Sequence, residues 1–214
     1  TSGGLIGKSA AVFDGTDDII NCGTDSSLNL TNNFSLEAWI KPDTVSGEQR
    51  IISKGVTSNA NSSYTFGLNS QQLRLTKENN YNIDSGTNVV TTAGKWYHIA
   101  VTVSSSAGTK FYVDGKLVGE DTGSSGKAAC NSSAGALYLG TRWDQSDDFD
   151  GTIARASVWD EVLTEAKIRA MMFQDWTTMA ADATHTDGNA KLWFEFNEGT
   201  DNAAPSGTDV EDLS

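Results

Sequence analysis

The sequence predicts an all-β sandwich of two antiparallel sheets with one short helix toward its C-terminal side. Three observations carry that expectation. Short apolar runs separated by turn residues fill residues 10–160. Several alternate apolar and polar residues with the period of two that a half-buried strand shows. An Asp-Gly dipeptide stands between two such runs, the strongest short-range hairpin signal.

The elements follow in order. Residues 10–13 end at Asp14-Gly15, and residues 19–22 end at Gly23. In the run 34–40, Leu36, Ala38 and Ile40 are expected on one face, with Phe34, Glu37 and Trp39 off it; Pro42, with no N–H to donate, ends the ladder. Residues 50–53, 64–68 and 72–76 read as further strands. Residues 96–103 lead to 110–113, Asp114-Gly115 and 116–118, the clearest hairpin. Residues 136–140 and 152–159 close the series. Thr164 is placed to cap a helix in which Glu165, Ala166, Ile168, Met171 and Met172 fit an amphipathic pattern, and residues 191–196 read as one more strand. One domain over residues 1–200 and an acidic tail or linker over 201–214 are expected.

With 28 acidic against 15 basic residues the net charge is −13, which repels phosphate backbones and anionic membrane surfaces. No run of apolar residues reaches the ~20 that a membrane helix requires. Cys22 and Cys130 are consistent with a disulfide closing a long loop or with two buried thiols, and spacing does not choose between them.

Four segments in order carry a family resemblance: AVFDGTDDIINCG (Ala11–Gly23), FSLEAWIKPD (Phe34–Asp43), KWYHIAVTV with KFYVDGKLVGE (Lys95–Glu120), and YLGTRWDQSDDFDGTIARASVWDEVLTEAKI (Tyr138–Ile168). Together they resemble the laminin G-like and pentraxin-like jelly rolls of the concanavalin A-like lectin/glucanase superfamily. The stretch from Leu192 to Ser214 resembles the strand and acidic linker that join tandem copies, so a longer parent protein or a homo-oligomer is expected. The resemblance implies a two-sheet jelly roll, Ca²⁺ as a cofactor and recognition of glycans or cell-surface polysaccharide. The chain departs from the family at three places. Ala38 and Ala100 stand where pentraxins carry a disulfide. Ala154 stands where many members of the superfamily place a Ca²⁺-binding Asp. In the pentraxin metal loop only Asp144 matches.

The candidate metal ligands are Asp144, Asp147, Asp148 and Asp150, since clustered carboxylates on a loop suit a cation that takes ~6–8 oxygens. The alternative is a solvated acidic loop. Asp14, Asp17 and Asp18 form a second cluster that reads better as turn chemistry. The candidate glycan contacts are Trp143, expected exposed so that a sugar can stack on it, with Asp144, Asn59 and Asn61 as hydroxyl partners. Asn79, Asn80, Tyr81 and Asn82 add polar lining. No acids alternate along one strand as a glycoside hydrolase requires, and no zinc or phosphate-loop spacing occurs. The expected function is a non-catalytic, Ca²⁺-assisted carbohydrate-binding or adhesion module at an extracellular, cell or virion surface. A structural or protein-binding jelly roll is the alternative, and a polysaccharide hydrolase or lyase ranks below both.

Overall fold

The computed structural model describes residues 9–56, 63–77, 81–181 and 189–196. Along the chain run β1 (Ala11–Asp14), β2 (Ile20–Asn21), a 3₁₀ turn (Ser26–Leu28), β3 (Phe34–Pro42), β4 (Glu48–Gly55), β5 (Tyr64–Asn69), β6 (Gln72–Lys77), β7 (Tyr81–Asp84), β8 (Tyr97–Ser104), β9 (Gly108–Val113) and β10 (Lys116–Asp121). They are followed by α1 (Ser124–Lys127), β11 (Ala136–Leu139), β12 (Asp150–Trp159), α2 (Glu165–Met171), α3 (Trp176–Ala180) and β13 (Ala190–Glu195). A seven-stranded sheet has the order β1-β12-β3-β8-β9-β10, with β13 also on β12; a six-stranded sheet has the order β2-β11-β4-β5-β6-β7. All pairings are antiparallel, and the two sheets form the expected jelly-roll sandwich.

Alternation builds the core. Leu36, Ala38 and Ile40 of β3 meet Ile99 and Val101 of β8 on the inner face of the first sheet, and Phe66, Leu75 and Leu137 line that of the second. Burying each large side chain contributes about 1.5–3 kcal/mol. Phe34 is also a core residue and fully buried, which corrects the expectation that it lies off that face: it shares the even parity of Leu36, Ala38 and Ile40. The Asp114-Gly115 turn has φ of 50° and 71°, the doubly left-handed backbone of a two-residue hairpin.

The helix at Thr164 forms as expected, with the threonine side chain accepting from the Lys167 N–H at 3.2 Å. Two shorter helices, α1 and α3, and strand β7 join it; each is too short to carry a periodic signal. Cys22 and Cys130 are free thiols, and burial pushes the Cys130 thiol up to about 12. Ala38 and Ala100 lie on neighbouring strands but face opposite sides of their sheet, one in the sandwich core and the other under the helices, so these two positions do not form a bridging pair.

Candidate functional site

The outer face of the first sheet is closed. Its outward residues Trp159 and Trp193 pack against Ile168 and Met171 of α2 and Met179 of α3. Charged groups hold this cover down. Arg155 is fully buried and donates from Nη1 to the Met171 and Gln174 carbonyls at 3.2 and 2.8 Å. Trp39 Nε1 donates to the Met172 carbonyl at 2.6 Å, and the Trp176 N–H donates to Glu195 at 3.0 Å. Glu37, also fully buried, lies 3.3 Å from Arg155 Nη2 and 3.3 Å from His98 Nε2, and accepts from Ser157 Oγ at 2.9 Å. Burial opposes its ionisation, but the Arg155 charge, His98 and Ser157 outweigh that and hold the carboxyl down at about 2. Ser157 donates to Glu37 rather than to His98, so these groups form a structural clamp and not a nucleophile with its base.

The outer face of the second sheet carries mostly polar side chains. Register aligns a row across all its strands: Asn21 pairs with Tyr138, Tyr138 with Ser53, Ser53 with Thr65, Thr65 with Thr76, and Thr76 with Asn82. Arg50, Gly67, Arg74 and Asp84 form the neighbouring row. Ion pairs run along it and into the loop between β11 and β12. Asp84 takes Arg74 through two bonds of 2.7 and 2.8 Å, and Arg74 reaches Glu48 at 2.6 Å. Glu48 pairs with Arg50, and Arg50 lies 3.5 Å from Asp147. Arg142 closes the chain at 3.8 Å from Asp147 and 3.7 Å from Asp144. The Asp84 hydrogen bonds, more than its charge, push the Arg74 guanidinium above its usual range.

The loop 140–150 lies against this sheet. Gly140 N–H donates to the Ile51 carbonyl at 3.1 Å, and Arg50 N–H donates to the Asp147 carbonyl at 2.8 Å. Trp143 N–H donates to Ser53 Oγ at 3.2 Å, so the loop crosses the hydroxyl row at Ser53. Trp143 itself is only 7% exposed, with the Arg142 guanidinium 4.8 Å from its ring centre; the expected open stacking platform is instead a packed side chain whose ring face is taken by an arginine. Asp144 is exposed at the loop tip and accepts from Ser146 Oγ at 2.7 Å. Asn59, Asn61, Asn79 and Asn80 lie outside the described residues. Tyr81 and Asn82 are both exposed but point to opposite sides of β7, Asn82 toward the polar row.

Among the described residues the candidate acids do not fit a calcium ion. Among the described residues no three of His, Cys, Asp and Glu stand together as a metal site requires. Asp144 and Asp147 face arginines, Asp148 accepts from Thr141 Oγ1, and Asp150 opens β12 beside Asp14. Ala154, at the position of the family carboxylate, sits in an apolar cluster with Trp39 and Met172 under the end of α2 and brings no side-chain oxygen to it. Asp14 and Asp18 cap the backbone of their own turn. Tyr138, Arg50 and Arg74 carry no signal in the sequence beyond outward parity.

The fold is shared with known recognition domains. Domain 4 of an extracellular arabinanase from Geobacillus stearothermophilus, solved with arabinotriose, superposes with a TM-score of 0.62 at 20% identity, covering 81% of this chain and 80% of that one. The CBM40 of the Ruminococcus gnavus IT-sialidase, bound to α2,3-sialyllactose, gives 0.61 at 13% identity, covering 78% and 98%. In sequence, the pentraxin-related protein PTX3 of Mus musculus is 29% identical over 173 residues, 75% of this chain and 42% of that protein. The chain spans 3% to 42% of the curated relatives it matches. The Laminin_G_3 family model matches residues 14–169, and on that match the chain belongs to the concanavalin A-like lectin/glucanase superfamily.

Proposed function

We propose that this chain is a non-catalytic carbohydrate-binding module of a larger extracellular protein, taking glycan on the outer face of the second sheet without a metal ion. The observation that carries the reading is the in-register row of amide and hydroxyl side chains from Asn21 through Tyr138 to Asn82, in which Ser53 and Thr65 are buried and Asn21, Tyr138, Thr76 and Asn82 reach the surface on either side of them. Sugars need many weak polar partners on a rigid surface and an aromatic ring to lie against; Tyr138, half-buried and outward, offers the ring. Asp144 at the loop tip is a further hydroxyl acceptor. The sugars named with the arabinanase domain and the CBM40 support the same class of ligand. The acids on this face, Glu48 and Asp84, belong to different strands and both bind Arg74, which leaves no free carboxylate pair for glycoside hydrolysis. No helix among the described residues is long and apolar enough to cross a membrane.

A panel of neutral and acidic oligosaccharides, titrated calorimetrically in the presence of chelator, tests this. Tyr138→Ala and Asn82→Ala should each weaken the bound sugar about tenfold, equivalent to about 1.4 kcal/mol. Retained affinity in both variants would move the site elsewhere, and no binder in the panel would sink the reading. Phe173, 61% exposed and 5.8 Å from Trp39, favours a second reading, in which the module also contacts protein through the α2–α3 turn.

A further inference from the structure

The loop that a calcium ion would organise in this family is already organised by cations of its own. Asp147 stands between two guanidinium groups, Arg50 at 3.5 Å and Arg142 at 3.8 Å, and Asp144 lies 3.7 Å from Arg142. Arg50 is almost wholly buried, so solvent and salt screen it weakly, and a single nitrogen, Nη2, faces both Glu48 and Asp147. Arg142 is braced by the Trp143 ring. The chain continues through Glu48 and Arg74 to Asp84, which ties the loop to β4, β6 and β7. The backbone here needs such restraint, since Gln145 and Asp147 adopt left-handed φ values of 58° and 57°.

We infer that Arg50 and Arg142 take the place of a bound metal ion, locking the loop 140–150 onto the second sheet so that the module is preorganised without calcium. The role of the loop in sugar recognition rests on the proposed function; the lock itself stands on the ion pairs alone.

The test reads the lock without any sugar, so its failure is distinguishable from failure of glycan binding. Thermal unfolding of the whole chain is compared in excess CaCl₂ and in excess chelator, alongside amide exchange of the Arg50 and Trp143 N–H groups. The wild type should shift by less than about 1 °C between the two conditions, with both amides protected in chelator. Arg50→Gln should lower the melting temperature by roughly 4–8 °C and speed exchange of both amides about tenfold or more. Arg50→Lys should recover only part of this, because an ammonium keeps the charge but not the reach and planar shape of the guanidinium. If Arg50→Gln does not fold, Arg142→Gln, nearer solvent, is read by the same exchange. A rise of several degrees for the wild type in calcium would overturn the inference. So would unchanged exchange in the variant that is read.

Discussion

The two outer faces of this sandwich present opposite solutions to the same geometry. Both are made of outward residues on antiparallel strands, and both carry arginines and carboxylates. On the first sheet Arg155 and Glu37 are sealed under α2 and α3 with Trp39, Trp159 and Trp193; Arg155 donates to the backbone carbonyls of the cover, and Glu37 accepts from Arg155 and Ser157 beneath it. On the second sheet Arg74 and Asp84 are half-buried and Glu48 is exposed; the two acids both bond Arg74, beside amides that still meet water. Charge under a cover holds structure; charge along an open face shapes a surface.

That contrast is most readily broken at Arg155. Arg155→Met leaves Glu37 and Glu195 buried without their cation and should destabilise the protein by about 3–5 kcal/mol, measured by denaturant unfolding. A cost near zero would mean that the cover stands on apolar packing alone.

Acid sharpens the comparison. Glu37 ionises lower in the fold, at about 2, than its ordinary value of 4.5, so its stabilisation is complete above that ordinary value and is lost as pH falls through the window between them. Glu37→Gln should flatten the stability profile across that window. An unchanged slope would assign acid unfolding to other carboxyls. The smallest effects belong to the open face: Asn21→Ala and Asn82→Ala should alter stability by no more than about 0.5 kcal/mol, since both side chains are exposed. A larger loss would show that the polar row supports the fold rather than a ligand.

Much of the architecture was written in local pattern. Alternation in 34–40 and 96–103 identified strands because side-chain direction repeats every two residues whatever lies across the sheet. Asp114-Gly115 specified its turn because both positions demand left-handed backbone, and Thr164 began its helix because a hydroxyl satisfies a free N–H three residues on. The clustering of acids in 144–150 was equally plain, but its meaning was not. Spacing showed carboxylates near one another; it did not show Arg50 beside Asp147, or Ser53 holding the Trp143 backbone from 90 residues away. Trp39, Trp159 and Trp193 are buried under helices outside the sandwich rather than between the sheets, a placement that strand pattern does not reveal.

By itself, then, the sequence determined most of the strands, where the main hairpin turns and where the helix after β12 begins, since these depend on neighbours in the chain. Only the tertiary structure decided that α2 and α3 cover one outer face while the loop 140–150 lies on the other, that Trp143 is buried, and that arginines occupy the acidic loop. Those outcomes depend on strand order and register, which bring together residues that no local spacing relates.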